Sequence, residues 1–451
     1  MQSGEMQNGG LKKRASLSSF QLIILGFAAA ILVGALLLML PISSKDRSAT
    51  PFGESLFTAT SAACVTGLVV RDTATHWSYF GQAVILVLIQ IGGLGVITVA
   101  ASLSMLAGKK LSLKQHSTMQ ESISAPKIGG VAKFTGFVVK TTFIIEFIGA
   151  ALLMPVMIPR FGAAGIWRSF FHSISAFCNA GFDLMGTPDG KFTSLTSYSA
   201  SAYVNVVIML LIIIGGIGFI TWEDIARHKF RIRRYRMQTK VVLVMSAVLI
   251  ILPAIMFFFT EYSSSPTGER IAGSLFQSVT TRTAGFNTKD LASLSGAGRM
   301  VFIILMLIGG SPGSTAGGMK TTTAAVLFSN LVAVIRRRDD TRFFGRRIDQ
   351  PVIKNAAAIF IMYVSLFLAG GAAISLIEGL PIGECLFEAA SAVGTVGLTL
   401  GITPALGAVS RIILMILMFL GRVGALTLIY AALSSSDKKT SRYPLENITV
   451  G

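Results

Sequence analysis

The chain has 451 residues, 52% of them hydrophobic and 13% charged, and carries 39 Lys and Arg against 21 Asp and Glu for a formal charge of +18. A chain so long, so apolar and so poor in charge is not a water-soluble globule. It is a polytopic membrane protein, in which each span takes about 20 apolar residues. In a membrane protein a positive excess is read from where it sits, and no nucleic-acid partner is expected.

Of the 39 cationic residues, 26 lie in the N-terminal tail, in three connections and in the C-terminal tail, within 12–14, 109–140, 227–240, 336–354 and 438–442. Eleven lie in the alternate connections, and Lys320 and Arg422 fall within membrane helices. The positive-inside rule then puts both termini and the three basic loops in the cytoplasm. Those loops either attract anionic membrane lipid or dock an acidic cytosolic partner.

Residues 1–17 form a polar, basic tail. The apolar run 20–42 is longer than a signal-peptide core and has no clear small-residue cleavage site, so it reads as a retained helix. The first repeat, 18–107, is expected to hold an outer helix at 18–42 and a short re-entrant pore helix at 51–63. An extended strand at 64–69 and an inner helix at 80–107 complete it, with Arg71 and Asp72 at the outer mouth. A basic loop, 108–130, leads to the second repeat, 131–226, with helices expected at 131–158, 166–177 and 200–222. Glu146 sits on its outer helix, where a carboxyl in the membrane is either functional or structural. Asp183 is either an electronegative vestibule residue or a surface carboxylate held by nearby N–H groups. After a second loop, 227–239, the third repeat spans 240–335 with helices at 240–260 and 298–335. A third loop, 336–352, precedes the fourth repeat, 353–433, with helices at 353–377 and 407–433, and 434–451 is the C-terminal tail.

The four repeats share one pattern. Segments SLFTATSA from Ser55, SFFHSISA from Ser169, SLFQSVTT from Ser274 and CLFEAASA from Cys385 resemble pore helices. They lead into Val65-Thr66-Gly67, Asn179-Ala180-Gly181, Thr283-Ala284-Gly285 and Thr395-Val396-Gly397. Phe57, Phe171, Phe276 and Phe387 precede the four glycines by 10, 10, 9 and 10 residues, so the third repeat is one shorter. A recurrence in phase defines an architecture. Thr395-Val396-Gly397 also matches three letters of the potassium-channel filter, in which rings of backbone carbonyls replace an ion's hydration shell. Glycine reaches the unusual φ/ψ values needed to aim successive carbonyls at one axis. The expected fold is therefore an all-α polytopic membrane protein. Four M1–pore-helix–M2 repeats surround a pseudo-fourfold central pore, each with a short extended filter strand.

After each filter comes a glycine-bearing apolar run: IGGLG from Ile91, IGGIG from Ile214 and LGRVG from Leu420. In the third repeat it expands to Gly309-Gly310-Ser311-Pro312-Gly313-Ser314-Thr315-Ala316-Gly317-Gly318. At about 1 kcal/mol per Gly and about 3 per Pro relative to Ala, no continuous helix should tolerate that run. It reads as a break with a small polar loop, a mobile gate beneath the filter, or as a kinked helix packed through Gly. Arg422 either faces this loop, repelling cations or bonding its carbonyls, or snorkels to the interface. Cys64, Cys178 and Cys385 have neither disulfide nor zinc spacing and read as pore-helix packing.

These residues resemble the Trk/Ktr/HKT superfamily of potassium transporters, most nearly the Ktr membrane subunits. The resemblance runs from about Phe20 to the C-terminus. Its most specific parts are TRTAGFNT (281–288), SAFCNAGF (175–182), GTVGL (394–398), the run 309–318, GRVGALT (421–427) and RYPLENITVG (442–451). It implies that Gly67, Gly181, Gly285 and Gly397 are filter glycines, that 309–318 is an intramembrane gating loop, and that Arg422 is the basic residue facing it. It further implies potassium transport with sodium dependence and a homodimer with two parallel pores. The dimer would sit in a bacterial inner membrane on a KtrA/KtrC-like cytosolic RCK ring that binds ATP and ADP. This chain has no Walker A run and no dinucleotide fingerprint, so it is not expected to bind nucleotide itself, nor metal beyond potassium in the filter. A secondary transporter for another solute would account for the glycine-rich break but not for four filter-like strands. An intramembrane enzyme is disfavoured, because the four His residues form no HExxH motif.

Overall fold

The computed structural model describes residues 18–96, 98, 99, 102 and 131–424. The expected tails 1–17 and 434–451, the loop 108–130 and the far end of the fourth repeat lie outside the described residues.

The helices recur in the expected order. The first repeat has α1 (Ser19–Met39), α2 (Phe52–Ala63) and α3 (Tyr79–Leu94). The second has α4 (Val131–Phe161), α5 (Ala164–Phe177), α6 (Ala202–Gly216) and α7 (Phe219–His228). The third has α8 (Met237–Thr260), α9 (Thr267–Thr280), α10 (Gly296–Leu307) and α11 (Thr321–Ile335). The fourth has α12 (Gln350–Glu378), α13 (Ile382–Gly394) and α14 (Ala408–Val423). A two-stranded hairpin, β1 (Arg342–Phe343) with antiparallel β2 (Arg346–Arg347), caps the basic loop after α11.

Local sequence explains the boundaries. Ser18 and Gln21 form a capping box on α1. Ser78, Ser201 and Ser295 cap α3, α6 and α10 with side-chain oxygens that accept N–H bonds from Gly81, Val204 and Gly298. The pore helices α2, α9 and α13 each start after a proline, at Pro51, Pro266 and Pro381. Each carries a carboxylate in its first turn, Glu54, Glu269 and Glu384, which complements the helix dipole.

The outer helices α1, α4, α8 and α12 are long and apolar enough to cross a membrane, and about a third of each is buried. Their outward faces, with Leu32, Leu36, Phe147, Leu252 and Ile361, are exposed as a lipid-facing helix requires. Each outer helix packs on the pore helix of its own repeat. Each inner helix packs on the pore helix of the next: α3 on α5, α6 on α9, α10 on α13, and α14 back on α2. This last contact closes the ring.

Three inner helices differ from expectation. The first breaks at Gly95 and is helical again at 96, 98, 99 and 102, the second breaks after Gly216 and bends by 97°, and the fourth leaves helical geometry at Gly424, the last residue described. The cause is the same in each. Gly95, Gly218 and Gly424 take φ of 86°, 92° and 85°, with ψ near 130°, a region open essentially to Gly alone. In the third repeat the backbone leaves the helix entirely between Leu307 and Thr321.

Candidate functional site

The four pore helices end on one axis, and the chain leaves each by the same three-residue step. Val65, Asn179, Thr283 and Thr395 have φ of 57°, 57°, 69° and 52°, and Gly67, Gly181, Gly285 and Gly397 have φ of 94°, 70°, 80° and 90°. The residues between, Thr66, Ala180, Ala284 and Val396, keep negative φ. Extended backbone of one hand points successive carbonyls to opposite sides. Alternating the hand turns them to the same side. Left-handed φ at β-branched Val65, Thr283 and Thr395 costs about 1–3 kcal/mol each, and such strain persists only where surrounding structure imposes it.

The glycines show how the strands meet. A Cβ built on Gly67 would lie 2.5 Å from the carbonyl oxygen of Ala180, one on Gly181 2.9 Å from that of Ala284, and one on Gly285 2.5 Å from that of Val396. One on Gly397 would collide with the carbonyl oxygen of Thr66. Each glycine thus faces the middle carbonyl of the next repeat, and the order runs through all four and back to the first. No side chain fits anywhere on this circle.

Hydroxyls from the pore helices hold the strands. Ser61 and Ser391 accept the Gly67 and Gly397 N–H groups at 3.1 and 3.0 Å, while Ser175 and Thr280 donate to the carbonyls of Phe182 and Phe286 at 2.7 and 2.5 Å. The shorter third repeat is accommodated at the helix end. The Ala284 N–H bonds the Thr280 carbonyl four residues back, whereas Thr66, Ala180 and Val396 reach five residues back to Ser61, Ser175 and Ser391. Phe57, Phe171, Phe276 and Phe387 are fully buried behind the strands. One residue further along, His172 accepts the Leu184 N–H at 3.2 Å, and Glu388 accepts the Leu400 N–H at 3.2 Å and the Thr403 hydroxyl at 2.6 Å. Both fix the chain just past the glycine. All four helix C-termini, the negative ends of their dipoles, face the axis and favour a cation there.

Beyond the ring a cavity of about 100 Å³ is lined by all four glycines together with Asp72, Asp183, Asn287 and Thr399. Half-buried Asp183 lines this cavity and accepts the Met185 N–H at 2.8 Å.

Below the ring, the segment between α10 and α11 packs between the second and fourth repeats. It is neither a kinked helix nor a free loop. Gly309 N–H bonds the Met319 carbonyl at 2.8 Å, which closes the segment on itself. Ser311 N–H bonds the Gly216 carbonyl at 2.9 Å, Phe219 N–H bonds the Gly313 carbonyl at 2.6 Å, and the Thr315 hydroxyl bonds the Phe177 carbonyl at 3.0 Å. A Cβ on Gly317 would strike the Thr395 side chain, and one on Gly318 would lie 2.9 Å from the Gly394 carbonyl. The segment therefore lies directly against the base of the ring. Arg422 does not snorkel. Its guanidinium donates to the carbonyls of Thr315 and Gly92, and to that of Gly93 at 3.2 Å. Lys320 donates to the Ala316 carbonyl at 2.8 Å.

Several members of this assembly were not among the expected site residues. Gly92, Gly93, Gly215 and Gly216 present carbonyls to Arg422 or to the loop. Their sequence signal is the repeated IGG, which marks the same place in the first and second repeats. Glu146 lies apart from the ring. It accepts Gln90 Nε2 at 3.2 Å and packs beside the Cys178 thiol at 3.8 Å. All three cysteines are buried and unpaired.

Four pore-helix repeats that close a ring of backbone carbonyls on one axis define a class of membrane protein. Comparison with known proteins makes this specific: the description of TrkH, a cation transport protein, matches residues 7–442, and the chain belongs to this family. It is 40% identical to the potassium/sodium uptake protein NtpJ of Enterococcus hirae, over 98% of this chain and 99% of that one. It is 39% identical to the Ktr system potassium uptake protein B of Bacillus subtilis, over 96% of both. The fold matches the crystal structure of the potassium transporter TrkH from Vibrio parahaemolyticus with a TM-score of 0.72 and 17% identity, covering 96% of this chain and 87% of that one.

Proposed function

We propose that this chain is the ion-conducting membrane subunit of a Ktr-type potassium uptake system. Potassium passes through the ring formed by the triplets ending at Gly67, Gly181, Gly285 and Gly397, and segment 309–318 with Arg422 gates it from below. The observation that carries this reading is the closed circuit of glycine and carbonyl contacts through all four repeats. The hydroxyl of Thr395, in the first position of its triplet, is buried without a hydrogen-bond partner among the described residues, which suits it as a further oxygen ligand at the base of the ring. The names of the relatives from Enterococcus hirae and Bacillus subtilis support potassium as the ion, and the former supports a role for sodium.

In this reading the chain works as a homodimer in a bacterial cell membrane with both termini cytoplasmic. Its gate answers to a cytosolic RCK subunit that binds ATP or ADP, and uptake depends on sodium. The test is rubidium or potassium uptake in a bacterium lacking its own potassium uptake, with and without external sodium, for the chain alone and with an RCK partner. Uptake that needs both partner and sodium is the expected result. No uptake in any arm, with the protein present in the membrane, contradicts the proposal.

A further inference from the structure

A second cavity, of about 470 Å³, opens on the side of the molecule that carries the vestibule. Leu184, three residues past Gly181, lines it, and so does Ala74, next to the vestibule residue Thr73. It sits where three membrane helices end: just after α1, at the first turn of α3, and beyond α4 at the start of α5. Its volume lies within the range of small-molecule sites, about 300–1,000 Å³.

The walls are chemically divided. Ile42, Tyr79 and Trp167 supply apolar and aromatic surface, the composition found where a membrane protein meets the lipid headgroups. Lys45, Arg47 and Arg168 supply positive charge, and among the described residues no carboxylate lines the cavity. None of the three forms an ion pair among the described residues. Two of them are held in place. The Arg168 guanidinium stacks 3.8 Å from the centre of the Phe161 ring, and Lys45 Nζ donates to the Ala74 carbonyl at 2.5 Å, leaving its other protons for a ligand. Trp167 is fixed by a 2.8 Å bond from its indole N–H to Gln82 Oε1.

We propose that this cavity binds the headgroup of an anionic phospholipid from the leaflet on the vestibule side. The phosphate lies among Lys45, Arg47 and Arg168, and the acyl chains run down the exposed apolar faces of the flanking helices. A guanidinium pairs with phosphate through charge-assisted, often bidentate hydrogen bonds. The position at three helix ends places the phosphate at headgroup depth and the apolar walls below it. This reading is independent of which ion the ring passes.

The test uses the full chain in nanodiscs of phosphatidylcholine doped with a photoactivatable phosphatidylglycerol, with photoactivatable phosphatidylcholine as the comparison lipid. The crosslinked peptides are mapped by mass spectrometry. The expected result is preferential phosphatidylglycerol labelling of segments 42–47, 79–80 and 164–168. Label spread evenly over the lipid-facing helices, or equal labelling by both lipids, overturns the proposal. Arg47→Asn, chosen because Asn tolerates the left-handed φ of 51° at that position, and Arg168→Gln should each lower the phosphatidylglycerol preference roughly fivefold. Arg47→Lys and the exposed-surface control Lys191→Gln should keep it. An unchanged preference in both Arg47→Asn and Arg168→Gln contradicts the assignment. Loss of label to competing inorganic phosphate would assign the cavity to a soluble anion and overturn the lipid.

Discussion

Arg422 joins the Gly92–Gly93 carbonyls of α3, about 330 residues from it in sequence, to the Thr315 carbonyl of the loop beneath the ring, 107 residues from it. A hydrogen bond from a charged donor is worth about 1.5–3 kcal/mol, so losing this set should release the loop. Arg422→Gln should raise basal ion flux severalfold in proteoliposomes, and Arg422→Lys should raise it less. An unchanged rate would leave Arg422 with a structural role only. At this scale the sequence was informative where chemistry is scarce. A lone arginine in an apolar helix, and glycines recurring in phase, had few other readings. The left-handed φ at Val65, Thr283 and Thr395 was hidden, because β-branched residues avoid that region and only the meeting of four strands imposes it. Thr395→Gly relieves the strain of about 1–3 kcal/mol, but it adds about 0.5–1 kcal/mol of chain entropy in the unfolded state and removes a fully buried side chain, and these losses oppose the gain. It should therefore leave the melting temperature nearly unchanged while lowering ion selectivity. A large drop in melting temperature with intact selectivity would count against the strain account.

Among the elements, the inner helices carry the largest difference between reading and structure. The break in the third was legible because five Gly and a Pro crowd into ten residues. The breaks at Gly95, Gly218 and Gly424 were not. Two or three glycines in an apolar run read equally well as close helix packing, and only the φ of the last one separates the cases. Gly218 also receives the loop, since a Cβ there would lie 2.6 Å from the Pro312 carbonyl. Gly218→Ala should lower stability by about 1–3 kcal/mol, measured by thermal unfolding in detergent, and should raise basal flux by unseating the loop. Wild-type stability would show that this backbone region is not required. Removing residues 311–317 should raise flux further, and a folded but silent variant would make the segment part of the pathway and not its gate.

For the molecule as a whole, the fourfold recurrence made the architecture legible, since matched spacing in four places constrains the fold more than any single motif. The direction of the ring was not legible. That each inner helix packs on the next repeat's pore helix, and each glycine on the next repeat's carbonyl, follows from three-dimensional closure alone. The charge pattern predicts orientation. In a background with its three buried cysteines retained, a cysteine at Arg337 should be labelled by an impermeant reagent only from the cytoplasmic side, and one at Lys191 only from outside. The reverse pattern would invert the topology. The central claim is that the four triplets make one ring and that its parts are equivalent. The most direct test is the potassium-to-sodium permeability ratio of Gly67→Ser, Gly181→Ser, Gly285→Ser and Gly397→Ser, each measured singly in proteoliposomes beside the unaltered chain. The account predicts that all four lose selectivity to a similar degree, because each new side chain meets a carbonyl of the neighbouring strand. Wild-type selectivity in any one of them would take that strand out of the ring and contradict it.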